Sequence, residues 1–154
     1  LILSTEHGPK GGDEINLINL DNNLEKNNFG WPLSSYGNHY DVVPLNGYTK
    51  KFAPLHKSHS EYGFEEPIFI FQNSIGISEI IKNHYSESNQ YLITSLKEKS
   101  IFIIEVNTEM GDSKIINEIK IGERIRDIIY DKINNCFYLY LEGTPKIVKL
   151  TKII

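Results

Sequence analysis

Chemistry is concentrated in a few polar islands of this sequence. The first is Glu6-His7-Gly8-Pro9-Lys10-Gly11-Gly12-Asp13-Glu14, which gathers glycines, a proline, carboxylates, a histidine and a lysine between two β-forming runs. Glycine lets backbone carbonyls approach a ligand closely, and hard cations such as Ca²⁺ favour carbonyl and carboxylate oxygens together. The same residues also suit an ordinary polar hairpin loop. The second island is Gly122-Glu123-Arg124-Ile125-Arg126-Asp127. Strand alternation puts Arg124 and Arg126 on one face, where two guanidiniums repel unless anions satisfy them. A ligand with several carboxylates would do so bidentately, and so would ion pairs to Glu123 and Asp127. Lys97 follows an apolar strand in Ser95-Leu96-Lys97 and reads either as a turn lysine or as a further anion contact. His56 and His59 have a spacing that one helical turn would convert into a metal pair, but no helix is expected there. No Gly-x-Ser-x-Gly motif is present.

The elements that must position these residues are strands. β-branched and aromatic runs bounded by turn residues predict them at Ile2–Thr5, Glu14–Leu20, Pro67–Phe71, Ile77–Lys82, Gln90–Leu96, Ser100–Asn107, Lys114–Ile121, Arg126–Asp131, Cys136–Glu142 and Lys146–Thr151. Turns are expected at Glu98-Lys99, Met110-Gly111-Asp112, Asn134-Asn135 and Gly143-Thr144-Pro145. No amphipathic helix of three turns is apparent. Short antiparallel strands at this spacing suggest a sandwich, a barrel or propeller blades. Within a single partial propeller, 1–66 reads as an incomplete blade plus a long polar loop over Asn27–Glu66. The span 67–123 reads as one blade, whose strands would lie within Ser74–Ile121, and 124–154 as a last blade lacking its outer strand.

Composition narrows the classes. The chain has 154 residues, 40% apolar and 23% charged, enough for a real core and unlike a disordered segment. A net charge of −4 without a long Lys/Arg stripe argues against nucleic acid as a partner. No apolar run approaches the roughly 18 residues of a membrane span. Cys136 is the single cysteine; it alternates within an apolar strand and reads as core. The opening Leu1-Ile2-Leu3-Ser4-Thr5 lacks a Met, a charged n-region and a small-residue cleavage site. It reads as a strand already under way in a longer protein.

Taken in order, the motifs resemble a known family. They are Thr5-Glu6-His7-Gly8-Pro9 with Gly11-Gly12-Asp13-Glu14-Ile15-Asn16-Leu17-Ile18, Asn28-Phe29-Gly30-Trp31-Pro32, Ser35-Tyr36-Gly37 with Tyr40-Asp41, Pro67–Ile75, Ser95-Leu96-Lys97 and Arg124-Ile125-Arg126-Asp127. Together they resemble the soluble quinoprotein aldose dehydrogenases of the glucose/sorbosone dehydrogenase family. The resemblance implies an all-β fold, about half of a six-bladed β-propeller. It implies pyrroloquinoline quinone (PQQ) and Ca²⁺ as cofactors, and an aldose sugar as the substrate oxidised to its lactone. The carbonyls of Gly8 and Pro9 would coordinate the cofactor-side Ca²⁺, while Lys97, Arg124 and Arg126 would neutralise the tricarboxylate. His7 and Ser74 would line the cofactor site, with Asp13 supporting the loop. Glu14 and the carbonyl of Phe29 would match a second, structural Ca²⁺ site.

The resemblance also implies a periplasmic or secreted protein. It covers the family's C-terminal half, so the family's general-base histidine and its arginine near the reacting carbonyl have no counterpart. No catalytic residue is therefore expected in this chain, and little activity from it alone. The alternative is a non-catalytic propeller segment that binds protein or glycan, with ring closure by a homodimer in place of a missing N-terminal half. Phe71 stands where the family usually has Trp, and Gly76-Ile77-Ser78-Glu79 replaces an Ala-Pro-Ser-Gly run. Asp21–Asn27 reads as an insertion.

Overall fold

The apolar runs become strands wherever glycine, asparagine or charged residues break them. The fold comes from a computed structural model, which describes residues 1–20, 27–41 and 44–151. Among these residues ten strands form three antiparallel sheets, and no helix is long and apolar enough to cross a membrane. The chain divides into two compact units, Leu1–Ser74 and Ile75–Ile154.

In the first unit, β1 (Ile2–Glu6), β2 (Asp13–Ile18) and β3 (Phe69–Phe71) pair in the order β1-β2-β3. The β1–β2 register runs from Ile2 opposite Ile18 to Glu6 opposite Glu14, so residues 7–12 form the connecting loop. Asp13, Glu14, Ile15 and Asn16 are all buried, an unusual place for three polar side chains, which need partners there. The polar stretch expected over Asn27–Glu66 is an ordered scaffold rather than a single loop. Asn28 Oδ1 accepts from Gly30 N at 2.9 Å. His56 N donates to the Leu33 carbonyl and Ser35 N to that of His56. A six-residue helix, α1 (Gly47–Phe52), is capped by Asn46, whose Oδ1 accepts from Thr49 N. It is too short to leave a periodic pattern. A 3₁₀ turn follows at Ser60–Tyr62. Apart from Asn27, the expected insertion lies outside the described residues. Asn27 itself closes back on Asn19: its side-chain Oδ1 accepts from Asn19 N and its Nδ2 donates to the Asn19 carbonyl, both at 3.2 Å.

The second unit holds a four-stranded sheet, β4 (Ile77–Lys82), β5 (Gln90–Ser95), β6 (Ser100–Asn107) and β7 (Asp112–Lys120), followed by a three-stranded one, β8 (Ile125–Asp131), β9 (Cys136–Leu141) and β10 (Lys146–Leu150). The four strands fall within Ser74–Ile121 and the three within Arg124–Thr151. The start expected at residue 67 is displaced, because β3 pairs with β2 and the four-stranded sheet opens only at Ile77. The turns fall where polar residues accept a positive φ, at Lys99 (57°), Gly111 (66°) and Asn135 (46°).

The core between these two sheets is Leu92, Ile101, Ile103, Ile125, Ile128, Phe137, Leu139 and Leu141, and Cys136 is buried beside it. Ser78 Oγ donates to the Ile125 carbonyl at 2.7 Å, tying the start of β4 to the start of β8. The edge strand β7 is mostly exposed and carries Lys114, paired with Glu105, and Lys120, paired with Glu118. Charge of this kind discourages edge-to-edge pairing.

Candidate functional site

In the first unit the 7–12 loop is held in one shape by backbone packing. Gly8 N donates to Asp13 Oδ1 at 3.0 Å, and Ser74 Oγ lies 3.5 Å from Asp13 Oδ2. The His7 ring is largely exposed, with Nδ1 3.9 Å from Asp13 Oδ1. Gly12 N donates to the Phe71 carbonyl, and Asn38 N to that of Lys10. A Cβ on Gly8 would stand 2.0 Å from the Gly11 oxygen, and one on Gly12 2.2 Å from Gly37 N. Only glycine permits so close an approach. Among the described residues neither the Gly8 nor the Pro9 carbonyl receives a hydrogen bond. Two free carbonyls beside a buried carboxylate fit a hard divalent cation. Lys10 faces outward to Asp41 at 2.7 Å.

Beneath this loop, β2 turns Glu14 into the interior. Burial, with the Glu6 carboxylate directly across the ladder, pushes Glu14 up to about 7 against the opposing pull of the Tyr36 N–H. His59 is fully buried, with Nε2 3.5 Å from Glu14 Oε1 and its ring stacked on Tyr36 at 5.1 Å. Burial lowers its proton affinity, while Glu66 and the backbone of Phe29 and Glu65 favour the charged ring. Those carbonyls are near, yet neither ring nitrogen has a hydrogen-bond partner, and neither atom of the Asn16 amide has one. Phe29 is half-buried. The His56/His59 pair does not form. His56 stacks on Tyr62 at 3.6 Å and His59 on Tyr36.

Glu66 braces this wall. Burial alone would raise it, but Ser60 N–H, the Tyr36 and Ser60 hydroxyls and His59 N–H all donate to it within 2.9 Å and hold it at about 2. A carboxylate whose folded pKa lies below its unfolded value contributes stability above about pH 4.5, and that stability is lost as pH falls towards 2. Glu66→Gln is therefore expected to melt lower than the parent at pH 7 and to match it near pH 2. Thermal unfolding across that range checks this.

In the second unit Lys97 is exposed, and its N–H donates to the Ile75 carbonyl at 2.9 Å. Gly76, with φ of 61°, stands where a Cβ would press on Leu96 and Lys97 at 3.3 Å. Arg124, just before β8, and Arg126 both reach Glu142 Oε2, at 3.1 and 2.7 Å. Glu142, not Glu123 or Asp127, is their common partner. Glu123 is taken by Thr144 and Lys146. The ladder shifts register between Ile125 and Asp127, leaving Arg126 exposed on a bulge. Through Ile75 and the Ser78–Ile125 hydrogen bond, Lys97 and the arginines stand at the same end of this unit. Two guanidiniums converge on one carboxylate oxygen there, and their remaining N–H groups suit a further anionic acceptor. Phe71, at the position expected to be Trp, is buried edge-on against Phe69 at 4.8 Å.

Sequence reasoning did not single out Glu142, Asn16 or the burial of His59. Asn16 alone left a signal there, two residues from Glu14 on the same strand face.

Comparisons with known proteins agree with this architecture. A family model described as Glucose / Sorbosone dehydrogenase matches residues 1–149. The chain is 28% identical over 152 residues to the aldose sugar dehydrogenase YliI of Escherichia coli (strain K12), which covers 95% of this chain and 37% of that protein. The crystal structure of the soluble aldose sugar dehydrogenase from Escherichia coli in its apo form superposes with a TM-score of 0.72 at 26% identity, over 96% of this chain and 40% of that one. A crystal structure of a glucose dehydrogenase gives 0.71 at 24% identity, over 99% and 41%, and speaks to the fold alone. The fold is thus all-β, of the β-propeller type of these dehydrogenases, and the chain spans 37 to 41% of their length.

Proposed function

We propose a function from one premise: this chain belongs to the glucose/sorbosone dehydrogenase family. It supplies PQQ- and calcium-binding residues to a sugar dehydrogenase that oxidises an aldose to its lactone. In the second unit, Lys97, Arg124 and Arg126 take the carboxylates of PQQ. In the first, the carbonyls of Gly8 and Pro9 hold Ca²⁺, Asp13 fixes their loop, and His7 and Ser74 line the cofactor. Glu14 and the Phe29 carbonyl hold a second cation. When bound, PQQ would supply the hydride acceptor for sugar oxidation, and these residues would contribute binding and electrostatics. No residue here is assigned as the base, so the chain is expected to bind the cofactor without oxidising sugar alone.

The observation that carries this reading is the arginine pair converging on the single oxygen Glu142 Oε2. Membership of a dehydrogenase family weighs against a protein- or glycan-binding module. An absorbance titration with PQQ in excess calcium tests the assignment. Arg126→Ala, an exposed truncation, is expected to weaken binding about 10- to 100-fold, the loss of one charged hydrogen-bonding group, with the melting temperature little changed. An unchanged affinity overturns it.

A further inference from the structure

A single ammonium ties together the strap, residues 35–38, that backs the 7–12 loop in the first unit. Lys57 Nζ donates to the Ser35 carbonyl at 3.2 Å and to the Gly37 carbonyl. Among the described residues no other donor reaches either oxygen, and no carboxylate pairs with the lysine. The strap meets the loop backbone to backbone. Asn38 N donates to the Lys10 carbonyl. A Cβ on Gly37 would stand 2.6 Å from Pro9 Cδ, and one on Gly12 would stand 2.8 Å from Gly37 Cα. The residue whose carbonyl Lys57 holds is therefore the one against which Pro9 and Gly12 pack. We propose that Lys57 is a positioning residue for calcium: it fixes the Ser35–Gly37 strap, and the strap fixes the loop whose Gly8 and Pro9 carbonyls bind the cation. This rests on the reading of those carbonyls as calcium ligands.

The physics favours a lysine in this role. Calcium affinity follows the rigidity of a site as well as the charge of its ligands. Gly8 and Pro9 offer neutral carbonyls, so the stiffness of their loop weighs heavily. Hydrogen bonds from a charged donor are roughly twice as strong as neutral ones, and an ammonium carries three donors on one compact head. Two of them are spent here on carbonyls that lie two residues apart in the chain. The strap has one further tie of its own, from Gly37 N to Ser35 Oγ at 3.1 Å, with Ser35 buried. Burial beside these carbonyls lowers the proton affinity of Lys57, as expected for an ammonium held by neutral groups. A cation also repels a cation. Acting through its charge alone, Lys57 would weaken calcium binding, so its removal would tighten it. Positioning predicts the opposite sign.

The test titrates Ca²⁺ alone into the full chain, stripped with a chelator, by calorimetry. Lys57→Met keeps the aliphatic stem and removes the donors. It is expected to weaken calcium about 10-fold, the lower end for one charged hydrogen bond. Lys57→Arg can still donate to two carbonyls and is expected to stay within about 2-fold of the parent. PQQ affinity in chelator, set by Arg124 and Arg126 in the second unit, should be the same in all three proteins, a readout that general damage to the fold would move. Calcium affinity unchanged or tightened in Lys57→Met overturns the proposal and leaves the calcium reading standing. Equal weakening in Lys57→Arg, or a fall in PQQ affinity in chelator, overturns it as well. If calcium fails to bind the unsubstituted chain, the proposal and the calcium reading both fail.

Discussion

Gly12→Ala is expected to destabilise the first unit by at least about 2 kcal/mol and to abolish calcium-dependent PQQ uptake. Two costs combine there. Gly12 has φ of 67°, a conformation that costs an L-residue with a Cβ roughly 1–2 kcal/mol. The new methyl would also stand 2.2 Å from Gly37 N and 2.5 Å from the Tyr36 carbonyl carbon. Both are backbone, so the loop must shift, at a further cost of about 1–3 kcal/mol for local strain. That shift lengthens the Gly12 N to Phe71 carbonyl bond of 2.9 Å and moves the Gly8 and Pro9 carbonyls with it. Gly111→Ala is the control. Its φ is 66°, but nothing lies within 4 Å of its added Cβ, so it carries the conformational cost without the collision. Denaturant titration of the two variants separates the terms. Equal losses would mean that the loop is not packed as described.

Phe137→Ala is expected to cost the second unit about 3–5 kcal/mol, the range for removing a buried aromatic ring. Phe137 is fully buried between the two sheets, with Tyr85 edge-on at 5.2 Å and Tyr130 at 5.0 Å. Its loss leaves a cavity where β9 meets β8. It also loosens Tyr85, whose hydroxyl donates to the carbonyls of Asn135 and Leu150. Ile147→Ala, at a position 74% exposed, should stay within about 0.5 kcal/mol of the parent. Below its lowered melting temperature Phe137→Ala should still bind PQQ with near-parental affinity. The arginines hang on the β8–β9 ladder, not on the ring. That is the reverse of Arg126→Ala, which should lose affinity and keep stability. Together the two variants distinguish scaffold from ligand contact.

Strand positions were legible because their signal is local. Isoleucine-rich runs such as Ser100–Asn107 have few alternatives to a strand, and Lys99, Gly111 and Asn135 mark turns through their own backbone preferences. Pairing partners were less legible. Phe69–Phe71 reads equally well as the first strand of the next sheet, and only the hydrogen bonds to Asp13–Ile15 decide that it closes the first. In the candidate site, the closeness of Arg124 and Arg126 was legible from their spacing of two. Their shared Glu142 was not, because it lies across a hairpin whose register shifts at the bulge. His59 sits in a stretch without periodicity. Its burial depends on Tyr36 and Glu66, residues that no spacing rule links to it.

The central claim is that the chain binds PQQ and calcium together, and it is tested most directly by measuring PQQ affinity against free calcium by calorimetry. Binding that tightens at least 10-fold between chelated and calcium-saturated protein is predicted, with a reciprocal tightening of calcium by PQQ, as linkage requires. PQQ affinity that is the same with calcium and with chelator would contradict the account.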